Sequence, residues 1–243
     1  MSWRPPDRVA TTSRVTRDTL IVDLGSRMRV LSSAPRGGGL RTTRYILNHQ
    51  VASNPSSNVE GRSWEHPSRY LRRLAGLLGV EADCVGLMTA VPMTQLVSRR
   101  EERGGLWVEC YATVGVTNAV RAGERPSHGD QRSIHGKPGT INLIVVTNAC
   151  LAVSALVGAV QVATEAKTGI LRDRAVPSWT GSPGATGTGT DAVVAACALR
   201  GCGPWHAYAG THTDLGSMIG LVVSECVLEG LVRAAQWTAM HRT

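Results

Sequence analysis

Lys167 and Asp191 are the residues whose types and places most invite chemistry. The chain holds 24 arginines and only two lysines, Lys137 and Lys167. Lys167 falls inside an apolar stripe of Val153, Leu156, Val157, Val160, Ala163, Thr164, Ile170 and Leu171. Spacings of three and four put these residues on one helix face. An ammonium at a core-facing position needs a partner or a lowered pKa. Arginine cannot readily lose its proton, so the choice of lysine points to a buried charge facing a site. A side chain snorkelling from the helix end explains it equally well. The nearest partner in sequence is Asp191, at the entry of the next strand. Glu165 lies almost opposite the stripe, with Ser154, Gly158, Gln161, Thr168 and Arg172.

Asp191 closes the stretch "WTGSPGATGTGTDAVV". Gly184 to Thr190 has the glycine spacing of a P-loop, but threonine stands where the lysine belongs. The strand follows the loop instead of preceding it, which also argues against a dinucleotide fingerprint. A flexible loop remains, delivering Thr188, Thr190 and Asp191 to a strand entrance. Glycine lets a backbone approach a ligand, and threonine supplies a donor and acceptors. A surface turn closed by Asp191 is the structural alternative. A second loop, "YAGTHTDLG", puts Gly210, Thr211, His212 and Asp214 before the last helix, with Thr211 or Thr213 as N-cap. A helix N-terminus lowers a nearby histidine's pKa, so His212 reads as a neutral base or donor, or as decoration of a cap. In "KPGTI", Thr140 follows glycine at a strand start. Such a threonine is usually structural. After self-cleavage it would be an N-terminal nucleophile.

The elements that must position these residues read as follows. Residues 1–17 are polar and rich in proline and arginine, and are expected to be loosely ordered. Residues 18–243 are read as one domain. "TLIVDL" and "RMRVLSS" are two strands around Gly25, followed by the Gly37, Gly38 and Gly39 loop. "HPSRYLRRLAGLLG" is a helix with Pro67 in its first turn and Gly79 at its end. "CVGLMTAV", "WVECYATVGV", "GTINLIVV" and "AVVAACAL" are strands. Residues 152–172 and 214–237 are helices. Residues 118–138 form a long polar loop, a length often tied to function. The order predicts an α+β fold, a layered mixed β-sheet packed against helices, with a mixed α/β sandwich as the alternative.

Composition narrows the classes. A net charge of +8 with nine arginines between Arg4 and Arg44 would suit nucleic acid or phosphate. The arginine, alanine, glycine and valine bias reads as codon usage, and no nucleic-acid motif supports the charge, so no nucleic-acid partner is expected. Asn142 to Ala163 is long enough for a membrane span, but Thr147, Asn148, Ser154 and Gln161 interrupt it. It reads as a strand, a short polar turn and a helix, with no membrane expected. The six cysteines are dispersed, which fits reduced thiols in a cytoplasmic protein. No close-set histidine pattern predicts a metal site.

Taken together, "GTINLIVVTNACLAVSALVGAVQVATEAKTGIL", "GTGTDAVVAA" and "YAGTHTDLGSMIG" resemble the signature blocks of the adenosylcobinamide amidohydrolases. "LSSAPRGGGLR", "ILNHQV", "VGLMTAV" and "TVGVTNAVRAGE" are similar to earlier blocks of that family, in the same order. The resemblance runs from about residue 20 to residue 230 and departs in the N-terminus and between Arg125 and His135. It implies corrinoid salvage: hydrolysis of the amide between a corrin propionyl side chain and aminopropanol, giving adenosylcobyric acid. The cobalt belongs to the substrate, and no further cofactor is implied. Amide hydrolysis needs an activated nucleophile, a stabilised oxyanion and a protonated leaving amine. On that chemistry Asp191, ahead of Glu165, would activate water. Lys167 would hold Asp191 ionised or stabilise the oxyanion, and His212 would shuttle a proton. Asn118, Asn142 and Thr188 would orient the amide. The Gly37–Gly39 loop and the loop bearing Thr188 and Thr190 would line a corrin pocket. A non-catalytic binder of a corrinoid or a phosphorylated metabolite is the competing class. A homo-oligomer is compatible with either.

Overall fold

The computed structural model describes residues 11–51, 66–80, 83–125 and 139–240. The first ten residues of the N-terminal segment and residues 126–138 of the long loop lie outside them. The elements are β1 (Thr12–Thr16), β2 (Thr19–Ser32), β3 (Gly39–Gln50), α1 (Pro67–Leu77), β4 (Val85–Thr89), β5 (Val97–Arg103), β6 (Leu106–Val114), β7 (Ala119–Val120), β8 (Ile141–Leu151), α2 (Val153–Asp173), β9 (Gly187–Thr188), β10 (Ala192–Ala198), β11 (Trp205–His206) and α3 (Asp214–Met240). A nine-stranded sheet runs β4-β3-β2-β10-β8-β6-β5, with β1 on β2 and β11 on β8. Pairs β3/β4, β8/β10 and β8/β11 are parallel and the rest antiparallel, so the fold is the expected α+β mixed sheet.

Several local expectations are corrected. Thr12–Thr16 is not loose: it forms a hairpin strand on β2. Its two-residue turn, Arg17 and Asp18, has positive φ at both positions, which suits the twist of a tight hairpin. The two strands around Gly25 are one strand with an irregular register between Asp23 and Met28. No polar turn separates β8 from α2. Thr147 and Asn148 stay inside β8, where Thr147 Oγ1 donates to Trp107 O at 2.7 Å and Asn148 Nδ2 donates to Gly105 O at 2.7 Å. They tie β8 to the β5–β6 hairpin, whose first strand, "VSRREER", is too charged to be recognised by apolar alternation.

α1 ends as its sequence predicts. The Gly79 N–H donates to Gly76 O and the Val80 N–H to Ala75 O, the paired bonds of a glycine-closed helix end. In α2 the buried residues are Ala155, Leu156, Ala159, Val162, Ala163, Lys167 and Leu171. Val153 and Val157 are exposed, so the buried stripe is turned relative to the predicted one, although Lys167 stays on it. α2 and α3 cover one face of the sheet, burying Leu143, Leu156, Leu171, Met218 and Val222 among others. Each fully buried leucine there contributes roughly 1.5–3 kcal/mol. By length and composition α3 could cross a membrane, but it packs against β6, β5 and α2 as a core helix.

The other face curls onto itself around Leu20, Val22, Ile46, Leu87, Tyr111 and Ile144. A buried polar chain measures the curl. Asn142 Nδ2 on β8 donates to Asn48 Oδ1 on β3 at 2.9 Å, and Asn48 Nδ2 donates to Thr113 Oγ1 on β6 at 3.0 Å. β3 and β8 are three strands apart, about 14 Å across a flat sheet. Only a strongly bent sheet brings these amides together.

Candidate functional site

The β8–α2–β10 unit builds the site. α2 runs back along β8, so Lys167, fourteen residues into the helix, lies about 21 Å from its start. That places it beside the entry of β10, where Asp191 stands. The Lys167 ammonium donates to Asp191 Oδ2 at 2.5 Å, and the two side chains are only 7% and 12% exposed. The pairing expected from sequence is therefore present in the fold.

Asp191 is held on every side. Oδ2 also accepts from the Thr188 N–H at 3.1 Å, and Oδ1 accepts from Thr188 Oγ1 at 2.5 Å and from the Ile141 N–H at 2.9 Å. Four donors occupy the two oxygens, about the full capacity of a carboxylate. This speaks against Asp191 as the base that activates water, the first role expected for it. It fits an anchor that fixes Lys167, Thr188 and the start of β8 together.

Gly187 has a steric reason to be glycine. A Cβ there would meet Asp191 Oδ2 and lie 2.8 Å from Lys167 Nζ. The glycine-threonine loop is not a loose delivery arm either. β9 pairs with β7, matching Ala119 with Thr188 and Val120 with Gly187. Ala122 N–H donates to Thr186 Oγ1, and Thr168 Oγ1 on α2 donates to Thr186 O. Asn118, one residue before β7, is thereby brought against Gly139, where a Cβ would lie 2.6 Å from its Oδ1. Thr140 is buried there and donates to Thr190 O at 2.9 Å, while Thr190 itself is exposed.

Other predicted site residues go elsewhere. Glu165 is exposed and bonded to Gln161 Nε2 at 2.9 Å, on the outer side of α2. Helical rotation places it away from Lys167, two residues on. His212 is exposed beside the N-terminus of α3. There Thr213 acts as the N-cap, accepting from the Gly216 N–H at 3.0 Å. This loop approaches α2 near Gly158, at the helix end remote from Lys167. Asn142 faces the curled interior, where its amide nitrogen is spent on Asn48 and Met88 O, so it does not point at the Lys167–Asp191 pair.

The Gly37–Gly39 turn also has a structural explanation. Cβ atoms at Gly37 and Gly38 would press on Cys84 O at 2.8 Å and Ala34 O at 2.6 Å. Gly37 borders an open depression of about 550 Å3 with Arg36, Arg41, Ser68, Arg72 and Asp83. None of these residues is bonded to Asp191. Sequence reasoning missed Asn48, Thr113 and Gly187. The first two carry a signal in principle, a polar side chain at an inward position of an apolar strand.

Cys197 and Cys110 are poor nucleophiles. Burial pushes the Cys197 thiol up to about 11. Cys110 is raised by its hydrogen bond with Cys226, and burial adds to this. Among the described residues no three His, Cys, Asp or Glu side chains gather in a metal-binding group.

Comparisons with known proteins agree with the sequence resemblance. The family model for adenosylcobinamide amidohydrolase matches residues 5–239. The adenosylcobinamide amidohydrolase of Methanosarcina mazei is 31% identical over 203 residues, covering 80% of this chain and 84% of that protein. The uncharacterized protein MJ1613 of Methanocaldococcus jannaschii is 29% identical over 231 residues, covering 88% and 86%. Among solved structures, the PH0078 protein from Pyrococcus horikoshii OT3 is 12% identical, with a TM-score of 0.43 and coverage of 90% and 77%. With a family model spanning nearly its whole length, this chain belongs to the adenosylcobinamide amidohydrolase family.

Proposed function

We propose that the protein hydrolyses the amide joining a corrin propionyl side chain to aminopropanol in adenosylcobinamide, releasing adenosylcobyric acid for corrinoid salvage. The observation that carries this reading is the nearly buried Lys167–Asp191 pair, with the Thr188 hydroxyl bonded to it. Family membership supplies the substrate class. The named Methanosarcina relative is consistent with it.

The pair supplies part of what amide hydrolysis requires. A tetrahedral intermediate carries negative charge on oxygen, and a fixed cation in a water-poor site stabilises it strongly. Lys167 is that cation. Asp191 keeps it aimed, as a positioning residue whose own oxygens are occupied. Thr188 is drawn onto Asp191, whereas Thr190 is exposed and can meet the substrate.

The test is direct. Purified protein is incubated with adenosylcobinamide, and products are weighed by mass spectrometry. Equimolar adenosylcobyric acid and aminopropanol are expected. Tight binding without either product would sink the hydrolase reading and favour a corrinoid binder.

A further inference from the structure

The Gly139–Thr140 peptide bond is gripped from both sides by one residue. Thr190 Oγ1 donates to Gly139 O at 3.3 Å, and Thr140 Oγ1 donates to Thr190 O at 2.9 Å. The Gly139 carbonyl thus has a donor on its oxygen, while the hydroxyl one residue later is held by an acceptor. Directly after Thr140, the Ile141 N–H sits on Asp191, the carboxylate that anchors Lys167.

The other side of the bond is equally crowded. A Cβ at Gly139 would lie 2.6 Å from Asn118 Oδ1 and 2.6 Å from Thr117 Oγ1. Asn118 Oδ1 is buried and has no hydrogen-bond partner among the described residues. A buried acceptor without a donor is costly. Here it stands beside the Gly139 α-carbon, next to the peptide bond whose cleavage would release an amine.

From this geometry we propose that the chain cleaves its own Gly139–Thr140 bond and that Thr140, as a new N-terminal residue, is the nucleophile of the site. Thr140 Oγ attacks the Gly139 carbonyl carbon, and Thr190 Oγ1 stabilises the oxyanion. The hydroxyl proton passes to the Thr140 nitrogen as the C–N bond breaks. This leaves an ester between Gly139 and Thr140 Oγ. Water then hydrolyses the ester, giving a Gly139 carboxylate and a free threonine hydroxyl. One water is consumed. The freed α-amine gains Asn118 Oδ1 as an acceptor and serves as base for its own hydroxyl. The two pieces stay together, because β2 and β6 from the first flank β10 and β8 from the second.

Self-cleavage stands on the bond's own surroundings. Only the nucleophilic role of Thr140 rests on the amidohydrolase reading above. Denaturing intact-mass analysis of the purified full chain tests the first part. Two fragments meeting at Gly139 and Thr140 are expected, with summed mass one water above the intact chain. Thr140→Ser should still cleave and Thr140→Ala should not. Thr190→Val, which keeps the carbonyl but removes the donor, should slow cleavage by about 10²-fold. A single full-length wild-type species, active or inactive, overturns the proposal, as does equal cleavage of Thr140→Ala. Cleaved protein without turnover of adenosylcobinamide leaves self-processing standing and overturns the hydrolase reading. Full-length protein with turnover does the reverse.

Discussion

The Lys167–Asp191 pair and the cluster of Arg99, Glu229 and Arg233 are both ion pairs reaching a helix of the same layer. They differ in burial. Lys167 and Asp191 are 7% and 12% exposed, whereas Arg99 and Glu229 are 41% and 28% exposed. In water the gain of a contact is nearly cancelled by screening and side-chain entropy. In a dry site each charge depends on its partner, because an unpaired buried ion costs several kcal/mol. The surface cluster is therefore replaceable, and the buried pair is not.

The largest effect should come from breaking the buried pair. Lys167→Met leaves Asp191 buried without its cation, and should cost about 3–5 kcal/mol in urea unfolding. Turnover of adenosylcobinamide should fall below detection. Adding Asp191→Asn to this variant removes the stranded charge, so stability should partly return while turnover stays lost. Recovery of turnover in the double variant would mean that the pair only holds the fold.

Next comes Gly187→Ala. Its Cβ would push into the Asp191 carboxylate and crowd Lys167. Overpacking should cost about 1–3 kcal/mol. Displacing the cation should lower kcat by about 10²-fold, read in steady-state kinetics. An unchanged kcat would show that the position of Lys167 is not critical.

Asp23 with Arg44 lies between the two extremes. Arg44 Nε and Nη2 donate to its two oxygens at 2.7 and 2.8 Å. These hydrogen bonds hold the Asp23 carboxyl below its ordinary value of 3.8, despite an opposing effect of burial. A carboxylate with a lowered folded pKa stabilises the protein above the unfolded value. That contribution disappears as pH falls through the folded one. Asp23→Asn should therefore lower Tm at neutral pH by an amount worth at most about 1 kcal/mol after solvent screening. The difference from wild type should close below pH 3.8.

The smallest effect is expected from Glu229→Gln. It leaves Arg99 beside Glu225 and Arg233 on the Leu96 carbonyl, and should change stability by less than about 1 kcal/mol. The difference should shrink further in high salt. A loss matching that of Lys167→Met would remove the distinction between the two regions.

Much of this contrast was legible in the chain itself. A lone lysine on an apolar stripe, in a protein that uses arginine for nearly every positive charge, marked the candidate for a buried charge, with snorkelling as the equal alternative. The missing P-loop lysine and the strand after the loop excluded a phosphate cradle. Helix ends and apolar strands were also legible, because their signals are local: Pro67 at a first turn, Gly79 at an end, and the apolar run of β10.

Proximity across the sheet was not legible, because it depends on curvature and rotation rather than on residue type. Glu165 and His212 have suitable chemistry, but helical phase and the length of α2 carry them away from Asp191. Asn142 was placed at an amide site, yet bending of the sheet turns it to Asn48. The sequence by itself determined which charges were out of place and which family the chain resembles. Tertiary structure alone decided that Asp191 is saturated by donors, that Gly187 has no room for a side chain, and that Thr190 spans the Gly139–Thr140 bond. Those facts arise where segments distant in the chain converge, and only the folded sheet brings them within hydrogen-bonding distance.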